Sequence, residues 1–118
     1  MIIAIDFDGT IVRHQYPYIG ELIPGAKEYI RKLKEDGHTI VIWTCRANKP
    51  LDDARQFLDD NGIPYDGMNE ECQEVKSLGW ISPSPKIYAD IYIDDRQVGG
   101  LPPWHMIYEL VQQSYDKL

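Results

Sequence analysis

A chain of 118 residues has room for one hydrophobic core rather than two, and its 43% hydrophobic and 26% charged residues are the composition of a globular domain, which excludes disorder. Nineteen acidic residues against twelve basic ones leave a net charge of −7. With the acids gathered between Asp52 and Glu74, the surface is poorly suited to nucleic acid or an anionic membrane; a small phosphorylated substrate stays compatible if a cation inverts the local field.

The chain opens on Ile-Ile-Ala-Ile at 2–5, an apolar run without alternation that predicts a strand buried on both faces. After a loop containing Pro17 and Gly20, "IPGAKEYIRKLKEDGH" predicts a helix. Pro24 suits its first turn, Ala26, Tyr29, Ile30 and Leu33 form its apolar stripe, and Gly37 closes it. "HTIVIWT" then reads as a second strand, rich in β-branched residues. "KPLDDARQFLDDNGIP" repeats the helical pattern, with Pro50 early, Leu51, Ala54, Phe57 and Leu58 inward, and Asn61-Gly62 as the stop.

Ile63 to Met68 predicts a short third strand, and residues 69–86 are expected to hold no more than a turn or two of helix. "YADIYID" at 88–94 reads as the last strand, and Trp104, Ile107, Tyr108 and Val111 mark a C-terminal amphipathic helix. Strands alternating with helices imply a three-layer α/β domain spanning residues 1–118, built on a small parallel sheet of about four strands. Ligands in such folds bind beyond the carboxyl ends of the strands.

Those ends carry the chemistry. The first strand runs into "DFDGT", the second into "WTCR" and the last into "YIDDR". Extended residues at i and i+2 share a face, so Asp6 and Asp8 are expected in one crevice, with Gly9 permitting a sharp turn. Asp6, Asp8, Thr44, Asp94 and Asp95 are therefore expected to converge at one edge of the sheet. Carboxylates packed so closely repel unless a cation sits among them, and hard oxygen donors without His or Cys point to Mg²⁺ rather than zinc.

"DFDGT" at 6–10, the apolar run closing on Thr44, and "YIDDR" at 92–96 resemble three of the motifs of the haloacid dehalogenase-like superfamily. The resemblance covers residues 1–96 in the right order. It implies a Rossmann-like core and Mg²⁺-dependent phosphoryl transfer through an aspartyl phosphate. It also implies Asp6 as nucleophile and Asp8 as general acid/base, with Asp6, the Asp8 backbone carbonyl and Asp94 as metal ligands. Gly9 and Thr44 are implied as phosphate binders. An acid at position 8 favours a phosphatase over a dehalogenase, because a halide leaves unprotonated whereas an alkoxide does not. The family's phosphate-pairing lysine is Lys76 or Lys86; helix geometry favours Lys76, and the "PKIYAD" context keeps Lys86 open.

Too few residues separate Thr10 from the first helix to hold a cap domain, so the site is expected to be open unless a second copy covers it. A non-catalytic phosphate-binding module and a nucleic-acid 3′-end phosphatase are the rival readings. A receiver domain would place its phosphorylated acid at the third strand, where Asp66 has no supporting motif. Arg46 shares the face of Thr44 and is expected to contact substrate or form a surface ion pair. Tyr16 and Tyr18 are read as loop packing, with a substrate rim as the alternative. His14, His38 and His105 are read as structural, Cys45, Trp43 and Trp80 as core, and Trp104 as the anchor of the last helix. The two cysteines fit a reducing cytoplasm better than a disulfide framework. No stretch reaches the length of a membrane span, and the acids at 6 and 8 do not suit a signal peptide.

Overall fold

Ile2–Ile5 forms the central strand β1, and all four of its residues are buried. A computed structural model describes residues 1–79 and 84–117; Trp80 lies outside them. The remaining elements are α1 (Ala26–Glu35), β2 (Thr39–Ile42), α2 (Asn48–Asp60), β3 (Gly67–Met68), α3 (Gln73–Ser77), β4 (Ile91–Ile93) and α4 (Trp104–Asp116). The strands pair in the order β3-β2-β1-β4, all parallel.

The register explains the two layers of core. Ile3 faces Ile40 and Ile91 across the sheet, and Ile5 faces Ile42 and Ile93. These side chains share one face and pack with Ala26, Ile30 and Leu33 of α1, Ala54 and Leu58 of α2, and Trp104, Ile107 and Val111 of α4. The opposite face presents Ile2, Ala4 and Val41, covered by Cys72, Val75 of α3, Ile87 and Ala89, with Trp43 half-buried beside them. Three long helices on one face and one short helix on the other make the layers unequal.

Several boundaries are tighter than the sequence predicts. Pro24 falls outside α1 because Gly25 at its N-cap adopts φ 85°; a Cβ there would crowd Trp104, leaving glycine as the fitting residue. β3 pairs over two residues only, because the Asp66 carboxylate accepts the Ile40 N–H at 2.8 Å and ends the ladder. The same carboxylate pairs with Lys34 at 2.7 Å, so Asp66 caps the end of the ladder. β4 starts late because Tyr88 N–H bonds Glu71 and Ala89 N–H bonds the Tyr92 hydroxyl, leaving neither to the sheet. Among the described residues, no helix is long and apolar enough to cross a membrane.

Candidate active site

β1 and β4 adjoin, and both end in acids. Their carboxyl ends therefore deliver Asp6, Asp8 and Asp94 to one edge of the sheet, while β2 delivers Thr44 from the other side. All four line a pocket of about 430 Å³, together with His14, Tyr16, Cys45, Arg46 and Arg96. Between Asp6 and Asp8, Phe7 turns inward; it is fully buried and meets Phe57 of α2 edge-on at 6.0 Å. Alternation thus sends one ring into the core and two acids outward.

The chain then turns sharply. Gly9 adopts φ 89°, and a Cβ at this position would collide with the His14 ring and the Asp95 carboxylate. Its N–H is committed to the Val12 carbonyl at 2.6 Å. Gly9 therefore contributes the turn itself; its own N–H is not free for a phosphoryl oxygen, contrary to the sequence expectation. Thr10 closes the turn from inside the protein. Its hydroxyl accepts the Asp95 N–H at 3.0 Å and lies 3.2 Å from Asp6 Oδ2, and its carbonyl accepts the Trp104 indole N–H at 3.0 Å. This buried side chain joins the ends of β1 and β4, beside the backbone bond from Asp6 N–H to the Ile93 carbonyl at 2.9 Å.

Oxygen atoms of Asp6, Asp94 and Asp95 lie within 4.8 Å of one another. Partial burial, then the charge of Asp94 and contact with Asp95, push the Asp6 carboxyl up from its ordinary 3.8 to about 7. Burial pushes Asp95 upward as well, but hydrogen bonds from His14, Asp6 and Asp94 outweigh it, and the net direction is downward. Three oxygen donors, one of them with its pKa raised by burial and by the charge beside it, fit a hard divalent cation such as Mg²⁺. Asp95 thus lies beside the two acids expected as ligands, and the donors of the cluster are all oxygen.

Thr44 is oriented from both sides. Its N–H donates to Asn69 Oδ1 at 2.8 Å, and its hydroxyl oxygen accepts the Arg46 N–H at 3.1 Å. A hydroxyl that accepts one bond keeps its own hydrogen for the pocket, so Thr44 stands ready as a donor. Asn69 tolerates φ 54° here, as Asn does more readily than other side-chain-bearing residues; the sequence analysis missed it, and the polar residue just after β3 was its only signal.

Arg46 was misread more fully. It is 2% exposed, so the ion pair it forms is buried and not on the surface. Its Nε and Nη2 donate to the two Asp8 oxygens at 2.7 and 2.8 Å. The other donors reach the carbonyls of Tyr18 at 2.9 Å, Pro17 at 3.1 Å and Pro50 at 3.2 Å. All five N–H groups of the guanidinium are satisfied within the protein. His14 is likewise a site residue, its Nε2 lying 2.9 Å from Asp95 Oδ2. Cys45 is exposed, not core: β2 ends at Ile42, so strand alternation does not extend to it. Tyr16 and Tyr18 are exposed, with the Tyr16 ring over the Arg46 guanidinium. Neither candidate lysine lines the pocket. Lys76 pairs with Glu70 at 3.1 Å, and the Lys86 ammonium sits 4.6 Å from the Tyr92 ring centre.

Residues 3–70 match the family described as haloacid dehalogenase-like hydrolase. The chain belongs to that family. A solved structure of a conserved protein from Bacteroides thetaiotaomicron is similar to this haloacid dehalogenase-like fold with a TM-score of 0.85 and 42% identity, covering 96% of this chain and 90% of that one. A protein of Chlorobaculum tepidum provisionally named a 5′(3′)-deoxyribonucleotidase is 32% identical over 81 residues, which are 64% of this chain. The matched region spans 35% of that relative's length.

Proposed function

We propose that this hydrolase is a Mg²⁺-dependent phosphatase that cleaves small phosphomonoesters through an aspartyl phosphate on Asp6. The observation that carries this reading is the convergence of Asp6, Asp8, Thr44 and Asp94 on one pocket at the carboxyl ends of the strands. Asp6, Asp94 and Asp95 would hold the ion, with the Asp8 backbone carbonyl as the further ligand that family resemblance implies. When bound, Mg²⁺ offsets charge on the phosphoryl group and reduces its repulsion by the attacking carboxylate.

Asp6 attacks phosphorus, the bond to the leaving oxygen breaks, and Asp8 supplies a proton to that oxygen. Water then attacks the phosphorus of the acyl phosphate while Asp8 takes its proton, releasing inorganic phosphate and restoring Asp6. Arg46 occupies one lone pair on each Asp8 oxygen and leaves the second for this proton. A binding module needs no acid/base at position 8, so the fixed Asp8 favours catalysis over mere phosphate binding. The name of the Chlorobaculum tepidum relative places nucleoside monophosphates first among the substrates to screen. The net charge of −7 counts against a polymer end as substrate.

Hydrolysis of an aryl phosphate with Mg²⁺, with chelator, and by Asp6→Asn tests the reaction. Turnover lost in both controls supports it. Turnover that survives Asp6→Asn overturns it, and a folded protein that binds phosphate without turnover returns the site to the binding-module reading.

A further inference from the structure

A phosphate dianion entering a pocket lined by Asp6, Asp8 and Asp94 is favoured by a positive side chain as well as an ion, a role for which the family resemblance implies a lysine. We propose that Arg96 supplies this charge in place of a lysine; the inference rests on the phosphatase reading and names a phosphate-binding residue within it.

Three side chains lining the pocket can carry positive charge: His14, Arg46 and Arg96. Arg46 has no donor left, since two of its N–H groups serve Asp8 and three serve the carbonyls of Pro17, Tyr18 and Pro50. The only polar contact of His14 among the described residues is with Asp95, at 2.9 Å. Lys76 is drawn to Glu70, and Lys86 lies over Tyr92. Among the described residues, Arg96 lines the pocket with a guanidinium that makes no hydrogen bond or ion pair of its own.

Its placement is fixed by its backbone. The Arg96 N–H donates to Asp94 Oδ1 at 2.9 Å, so the turn that presents this side chain is tied to one of the metal-site acids. The side chain beyond is exposed and lines the pocket that an incoming phosphate would enter. A planar guanidinium offers two parallel donors to two phosphoryl oxygens, a geometry that a lysine ammonium does not supply. Loss of such a charge-assisted pair weakens anion binding by about tenfold or more.

The test is calorimetric titration of inorganic phosphate into Mg²⁺-loaded protein, which reads binding without turnover. Arg96→Ala is expected to raise the dissociation constant by about tenfold or more, and Arg96→Lys by less. Lys117→Ala, at the exposed end of α4, controls for net charge. An unchanged constant in Arg96→Ala, or a loss that appears in Lys76→Ala or Lys86→Ala instead, overturns the assignment and leaves the phosphatase reading intact. Wild-type protein that binds no phosphate at all overturns the assignment, and the aryl phosphate assay decides the phosphatase reading separately.

Discussion

Arg46 and Asp8 form a charge pair in which the arginine side chain is 1% exposed and the aspartate 14%. Removing one partner of a buried pair leaves the other uncompensated, and that loss costs about 3–5 kcal/mol. Arg46→Met is therefore expected to lower stability by roughly that amount in urea denaturation. Because the same guanidinium holds the carbonyls of Pro17, Tyr18 and Pro50, Arg46→Lys is expected to recover little of the loss. An ammonium has three donors and cannot fill five positions. A change below about 1 kcal/mol would show that the pair adds little to the fold.

Asp6 gives the clearest dependence on pH. Its folded value is raised to about 7 by partial burial and by Asp94, so the metal-free native state binds this proton more tightly than the unfolded chain. The stability that this provides is present below the ordinary carboxylate range and is lost as pH rises through about 7. The melting temperature of the chelator-treated protein is expected to fall between about pH 4 and pH 7. Asp6→Asn should flatten that decline, and excess Mg²⁺ should reverse it by binding the native state. A profile in Asp6→Asn as steep as in wild type would assign the decline to other groups.

At the level of elements, the site depends on a helix remote in sequence. Trp104 begins α4, is 1% exposed, and donates its indole N–H to the carbonyl of Thr10. Trp104→Phe keeps most of the bulk but leaves that carbonyl without its partner, at a cost of about 1–3 kcal/mol. Since Thr10 joins the ends of β1 and β4, the variant is also expected to lose turnover with an aryl phosphate at temperatures where it remains folded. Full activity in a folded Trp104→Phe would separate the anchor from the chemistry.

β1, α1, β2, α2 and α4 were legible because each carries its own periodicity: a buried run, a stripe, a β-branched run, a second stripe and a third. β3 and β4 were overextended because the residues that shorten them act through side chains. Asp66, Glu71 and Tyr92 take or supply hydrogen bonds that a strand reading assigns to the ladder, and no local pattern marks such bonds. The same limit governs the site. Asp6, Asp8 and Asp94 were visible from their spacing at strand ends. Arg46 pairs across 38 residues and His14 across 81, separations that only the fold brings together.

On the scale of the whole molecule, this chain covers 90% of the Bacteroides thetaiotaomicron structure, and the likeness extends over 96% of its own length. Exposed Tyr16 and Arg96 line the pocket, and Tyr18, exposed as well, gives its carbonyl to Arg46 beside them. β4 remains an edge strand, with an apolar cavity of about 160 Å³ between it and α4.

Everything proposed for this pocket rests on Asp6 becoming phosphorylated. The most direct measurement is an acid quench of Asp8→Asn during reaction with Mg²⁺ and an aryl phosphate, followed by mass spectrometry of the intact protein and its peptides. A good leaving group needs little protonation, whereas the attacking water still needs a base, so the variant should accumulate the intermediate. A phosphoryl adduct on the peptide containing Asp6, absent when Asp6→Asn is added, is the predicted result. Continued turnover with no adduct, or an adduct on His14 or Cys45 instead, would contradict the mechanism.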